Sequence, residues 1–278
     1  MLKICPFGPE LITRHLHRQL ASIRAYCCGC RVIATPQHEL WHGATAGNMH
    51  LLDLLFPKRC VGCGKVGKHF CNHCISSIKI IQTNEAICPV CEKPAIDGAT
   101  HPRCRTAYTI DGLTSFFRYD GVVRKAVKAI KYRFVSDLAK EFVDLIPEAL
   151  LSNLYTLSPK PYFLVPIPLH WLRLRDRGFN QAEVLGGLFA AYLHTRVGTD
   201  ILTRVKLTTP QVKMKTRDAR LANMDGVFAV SNDTLTHRRI DAIVLFDDVF
   251  TTGATMRAAA NVLKRAGVGW VWGVTMAR

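Results

Sequence analysis

Residues 243–255 read IVLFDDVFTTGAT, and this stretch decides the fold. Ile243-Val244-Leu245-Phe246 is a short, uninterrupted apolar run, the pattern of a strand buried on both faces of a parallel sheet. Asp247 and Asp248 follow, then the turn Thr251-Thr252-Gly253-Ala254-Thr255. Beyond it Met256, Ala260 and Leu263 recur at helical spacing, and Gly267 is placed to stop that helix. Strand, acidic pair, hydroxyl-bearing turn and helix together suit a sugar phosphate. Backbone N–H groups of the turn and of the helix N-terminus can wrap a phosphate. Gly253 permits close backbone approach, and the paired carboxylates can accept hydrogen bonds from vicinal ribose hydroxyls.

The 278 residues allow one α/β domain of ordinary size and a small module beside it. Nearly half of them are apolar, enough for a real core. No apolar run approaches the roughly 18 residues of a membrane span, so membrane insertion is not expected. The N-terminus lacks the charged-then-apolar order of a secretory signal, and the expected location is cytoplasmic. A net charge of +16 favours polyanionic partners: phosphorylated small molecules, nucleic acid, or both. Most of the eleven cysteines come in CxxC pairs, which in a reducing compartment point to metal rather than disulfides.

Those pairs form a module at residues 60–104. Cys60, Cys63, Cys71 and Cys74 are spaced C-x2-C-x7-C-x2-C, a set able to close a tetrahedral structural Zn²⁺ site. Cys88, Cys91, His101 and Cys104 give C-x2-C-x9-H-x2-C, a weaker set because it contains a single histidine. One or two zinc ions are expected, supplying stability that so small a core lacks. His69 and His73 read as surface residues. Residues 1–48 show no sustained period, and Cys27, Cys28 and Cys30 match no standard knuckle. Met49 is the expected initiator, giving three segments: 1–48 an extension, 49–107 the zinc module, 108–278 the α/β domain.

Within 108–278, Gly112 to Tyr119 reads as a strand. The following helix carries Val123, Ala126, Val127 and Ile130 on one face and Arg124, Lys128 and Lys131 on another, a solvated face or a contact surface for phosphates. Tyr162 to Ile167 is a further strand. Directly after it, Arg173, Arg175 and Arg177 alternate in what reads as a loop, where an open α/β sheet binds ligands and where guanidinium forks suit phosphate oxygens. Asn180 and Glu183 fit a capping box for the next helix. Leu202 to Lys206 and Gly226 to Val230 read as short strands, residues 206–220 as a mobile basic loop, and Trp270 to Met276 as the last strand.

Taken together, these residues resemble a family. The 243–255 string is similar to the phosphoribosyl-pyrophosphate (PRPP) motif of type I phosphoribosyltransferases. FRYDGVVRKAVKAIKY (Phe117 to Tyr132), VPIPLHWLRLRDRGFNQAE (Val165 to Glu183), LTRVKLTTPQ (Leu202 to Gln211), Arg217 with Asn223, and LFDDVFTTGAT (Leu245 to Thr255) follow the order of the ComF/GntX family. The cysteine module and LLDLLFPKRC (Leu51 to Cys60) resemble it too, so the likeness covers residues 49–278. His101 stands where a cysteine is commoner, and Trp171-Leu172 where a proline or basic residues are usual.

The resemblance implies a type I phosphoribosyltransferase-like parallel sheet flanked by helices, with a small zinc-ribbon-like module before it. It implies PRPP and Mg²⁺ as ligands. Thr251, Thr252, Gly253, Ala254 and Thr255 would hold the 5-phosphate, and Asp247 and Asp248 the ribose hydroxyls. Leu169, His170, Arg173, Arg175, Arg177 and Lys206 would face the pyrophosphate, and the basic loop would close over it. Family members are linked to DNA uptake in natural transformation, which makes single-stranded DNA and DNA-uptake proteins the expected partners. The activity implied is pentosyl transfer. Its alternatives are a non-catalytic single-stranded-DNA-binding competence factor and a PRPP-sensing regulator. Neither an acceptor nor an oligomeric state is written in the pattern.

Overall fold

Along Ala242–Val249 (β6) the side chains part into two sets. Ala242, Val244 and Phe246 belong to one buried cluster and Ile243 and Leu245 to the other, as strand alternation demands when helices cover both faces. The computed structural model describes residues 57–132, 136–151, 162–207, 224 and 226–278. The expectations for residues 1–48, for Met49 and for most of the basic loop lie outside these.

In chain order the elements are helix α1 (Asn72–Ser76), β1 (Gly112–Phe117), α2 (Gly121–Tyr132), α3 (Ser136–Val143), β2 (Phe163–Pro166), α4 (Trp171–Arg177), α5 (Gln181–Tyr192), β3 (Arg196–Val197), β4 (Leu202–Arg204), β5 (Phe228–Val230), α6 (Asn232–Arg238), β6, α7 (Ala254–Arg265) and β7 (Trp270–Ala277). Five strands form one sheet in the order β1-β7-β6-β2-β3, every pairing parallel. β4 and β5 make a separate antiparallel pair. This is the expected α/β architecture of the type I phosphoribosyltransferase kind.

The two clusters set the layers. On one side Val123, Ala126, Val127 and Ile130 of α2, Leu138 and Phe142 of α3, and Leu185 and Phe189 of α5 pack on Phe116, Val244 and Phe246. On the other, Met256, Ala259, Ala260 and Leu263 of α7 pack on Ile243, Leu245 and Val271. The neighbours β2 and β6 therefore lead into helices on opposite faces, α5 and α7. Such a reversal, beyond the C-terminal ends of the two strands, is the place where open α/β sheets take ligands.

The cysteine module covers the β1 edge. The Ile81 N–H donates to the Phe116 carbonyl (2.8 Å), Arg118 N–H to the Lys79 carbonyl (2.9 Å) and Thr100 N–H to the Asp111 carbonyl (2.8 Å). An edge strand with unpaired amides invites aggregation, and this cover removes it. Gly98 makes the fit possible: its φ is +78°, and a Cβ there would lie 2.0 Å from the Leu113 carbonyl oxygen. Phe70 of the module stacks on Phe142 at 5.9 Å, burying its main apolar side chain in the domain core.

Two sequence expectations change. The arginine stretch after β2 is not a loop but helix α4, capped by His170 and closed by Gly178 in the left-handed region (φ 80°). His69 is buried rather than on the surface, while His73 is exposed. α6 and β3 were not legible, both being short and polar or exposed.

Candidate functional site

β6 carries Asp247 and Asp248 out of the core at its C-terminal end, beside β7, where Asp247 pairs in register with Thr275. The Asp247 Oδ1 accepts the Asp248 N–H at 2.8 Å. Burial, and then the neighbouring Asp248 charge, push the Asp247 carboxyl well above the ordinary carboxylate range, while Lys131 draws it back. A carboxyl so placed is short of partners, and ribose hydroxyls would supply them.

The turn that follows has the form of a phosphate cradle. Gly253 is buried with φ +67° and caps α7, and a Cβ on it would meet the Phe250 ring at 2.5 Å. Ordinary side chains are excluded there by both conformation and space. The first helical bond runs from Arg257 N–H to the Gly253 carbonyl (2.8 Å), so the N–H groups of the first turn have no acceptor within the helix. Thr252 Oγ1 is buried and has no hydrogen-bond partner among the described residues. Asp247, Phe250, Thr251, Gly253, Ala254, Thr255 and Thr275 line a small cavity at this point. An orphaned hydroxyl, free amides and a backbone no side chain can obstruct fit a phosphate.

The β2 side supplies cations. Positions 173 and 177 of a helix share a face, whereas 175 points nearly opposite. Arg173 and Arg177 are half-buried; Arg177 donates to Gln181 Oε1 at 2.7 Å, and Arg173 is drawn below its usual range by burial and then by Arg177. Arg175 points away, over the Trp171 ring at 5.5 Å and 3.9 Å from Asp176, exposed to solvent. The expectation that all three face one ligand fails for Arg175, because the segment is helical. His170 is buried as the α4 cap, its Nδ1 accepting the Leu172 N–H at 3.3 Å, which commits that nitrogen to the fold. Leu169 is half-buried, and Lys206 is exposed two residues beyond β4.

Sequence reasoning missed two cations. Arg204, at the end of β4, is pulled down to about 10 by burial and then by Arg173, with Asp247 acting against both. Lys131, at the end of α2, is half-buried, its charge acts on Asp247, and its carbonyl accepts from Gln181 Nε2 at 3.3 Å. The sequence signal for Lys131 was present but misassigned: helical spacing grouped it with the outward Arg124 and Lys128, and the last turn of α2 reaches the sheet end.

The cysteine module holds both expected clusters, with all four donor atoms of each within 4.8 Å of one another. A tetrahedron with metal–sulfur arms of about 2.3 Å has edges of about 3.8 Å; Cys63 Sγ and Cys71 Sγ are 3.7 Å apart. In the second cluster His101 Nδ1 lies 3.3 Å from Cys91 Sγ, and His101 Nε2 lies 2.9 Å from the Pro94 carbonyl. A carbonyl only accepts, so Nε2 carries the proton and Nδ1 presents its lone pair to the cluster. That is the usual outer bond of a metal-binding histidine, and it makes His101 a full equal of its cysteine neighbours. Burial raises Cys60, but N–H groups of Cys71, Cys63 and Gly62 outweigh it and bring the thiol down to about 6. Burial and the three neighbouring thiols push Cys74 up to about 12. Burial, with Cys91 and Cys88, takes Cys104 up to about 11. Thiolates crowd one another in each cluster, and a dication removes that conflict. Both clusters fit structural Zn²⁺.

Comparison with known proteins agrees with this geometry. Residues 51–105 match the double zinc ribbon domain. Competence protein F of Haemophilus influenzae is 28% identical over 243 residues, 83% of this chain and 94% of that protein. The chain is a relative of the ComF-type competence proteins. Competence protein ComFC of Bacillus subtilis is 27% identical over 218 residues, 73% of this chain and 81% of its own length. The DNA utilization protein YhgH of Salmonella typhi is 28% identical over 205 residues, 71% and 86%. Each of these three matches covers more than two thirds of this chain. No helix among the described residues is long and apolar enough to cross a membrane.

Proposed function

We propose that this ComF-type chain binds PRPP with Mg²⁺ in the crevice between β2 and β6, and that it serves DNA uptake or use, as the names of its relatives indicate. The observation that carries the reading is the meeting of three groups at one sheet end. They are the 251–255 turn with its unpartnered Thr252 hydroxyl, the Asp247–Asp248 pair, and the cations Arg204, whose charge meets those of Arg173 and Asp247, and Lys131, whose charge acts on Asp247. The turn and the α7 N-terminus take the 5-phosphate. The carboxylates accept from the ribose 2- and 3-hydroxyls. Arg173, Arg177 and Arg204 face the pyrophosphate, whose departure from ribose C1 they would assist by stabilising its charge. Mg²⁺ would supply further neutralising charge, and Asp247 and Asp248 are the carboxylates beside which it would sit.

Transfer needs an acceptor nucleophile to take the C1 position as pyrophosphate leaves. The test is calorimetry of PRPP with Mg²⁺ at about millimolar concentration, followed by pyrophosphate release with candidate acceptors. Binding with release makes the chain a phosphoribosyltransferase, binding without release makes it a PRPP-gated factor, and no binding rejects the site.

A second reading, direct binding of single-stranded DNA, is favoured by the exposed face of α2. Arg124, Lys125 and Lys128 are all exposed there, on a chain of net charge +16.

A further inference from the structure

The zinc module does more than cover the β1 edge, because its second cluster reaches the phosphate turn. Pro89 lies between the ligands Cys88 and Cys91, and a Cβ on Gly253 would be 3.3 Å from the Pro89 carbonyl oxygen. The turn therefore sits between the Phe250 ring and this knuckle. Ile87, just before Cys88, packs on the cluster containing Phe250, Ala254 and Met256. The far end of the same helix is tied to the other side of the cluster. Arg105, next to Cys104, pairs with Asp111 Oδ1 at 3.1 Å, and Asp111 Oδ2 pairs with Lys264 of the last α7 turn at 2.6 Å, in a bridge about nine-tenths buried. Arg265 lies over the Tyr108 ring at 4.3 Å.

We propose that the second metal cluster positions the phosphate turn, so that its metal content sets the affinity of the candidate PRPP site. The inference rests on that reading of the turn. In a module this small the shared ion supplies much of the free energy that holds the knuckle's backbone shape. With Cys88, Cys91, His101 and Cys104 closed on one metal, the Pro89 carbonyl is a fixed wall behind Gly253. Without the ion, residues 88–104 lose the constraint that orders them, and the turn loses that wall. The first cluster is a built-in control. Its Gly62 would place a Cβ against Val122 of α2, and Gly62 O accepts from Lys125 Nζ at 2.6 Å, so it docks on α2.

The experiment compares full-length wild type with His101→Ala, His101→Cys and Cys63→Ser. It measures zinc per chain, amide hydrogen exchange over residues 250–257, and PRPP affinity with Mg²⁺. His101→Ala should lose one zinc ion, speed exchange in the turn about tenfold or more, and weaken PRPP binding about tenfold. At about 1.4 kcal/mol per decade each tenfold change stays below the ~5–15 kcal/mol of global stability, so it reads as local loosening rather than unfolding. His101→Cys should restore all three, and Cys63→Ser should leave the turn unchanged. Unchanged exchange at 250–257 after loss of the second ion overturns the proposal. So does equal acceleration in Cys63→Ser, which would mark a general loss of stability. If wild type binds no PRPP, the proposed ligand fails while the exchange comparison still decides whether the cluster holds the turn.

Discussion

Replacing Asp247 by Asn should make the protein more stable and a poorer binder of PRPP. The side chain keeps its shape and loses its charge. Burial and the Asp248 carboxylate hold the Asp247 carboxyl well above its unfolded value of about 3.8, so its ionisation opposes folding. The cost is absent where both states are protonated, below the unfolded value. It grows as pH rises from there toward the folded value. Asp247 keeps part of its surface in solvent, so the cost lies toward the low end of the about 1–3 kcal/mol of a fully buried, uncompensated group, with Lys131 offsetting part of it. At about 2–4 °C per kcal/mol for a chain of this size, Asp247→Asn should raise Tm at pH 7 by at least about 2 °C. The gain should shrink as pH falls toward 4. In the complex the same carboxylate accepts charge-assisted bonds from ribose, worth about 1.5–3 kcal/mol, so PRPP affinity should fall roughly 10- to 150-fold. Thermal scans from pH 4 to 8 and calorimetry with PRPP and Mg²⁺ measure both. A variant less stable than wild type at pH 7, or a gain independent of pH, would refute the buried-charge argument. Unchanged affinity would refute the ribose assignment.

Purified protein should carry two zinc ions per chain, measured by elemental analysis, and chelation should unfold residues 60–104 first, seen as early loss of exchange protection there. Single-stranded DNA should bind with little sequence preference, log affinity falling with log salt at about 0.7 per neutralised phosphate. Arg124→Ala with Lys128→Ala should flatten that slope and leave PRPP affinity intact. Lys131→Ala should weaken PRPP instead, because its charge acts on Asp247; equal effects of Lys131→Ala and the Arg124/Lys128 pair on PRPP would show that the α2 cations act as one field.

Local pattern determined a good deal of this protein. The run 243–246, the acidic pair and the 251–255 turn are contiguous, so strand, site and helix could be read from one stretch. The CxxC pairs announce their own chemistry, because metal ligands follow fixed spacings. Tertiary structure decided what adjacency in sequence cannot carry. His101 looked the weak ligand until its Nε2 was found on the Pro94 carbonyl. Arg173, Arg175 and Arg177 looked equivalent until the backbone proved helical, turning Arg175 away. Arg204 and Lys131 join Asp247 across 43 and 116 residues of chain respectively. The meeting of Pro89 with Gly253 is likewise a product of packing, since hydrophobic burial is non-directional. Which surfaces meet is settled only when sheet, helices and ribbon close on a common core.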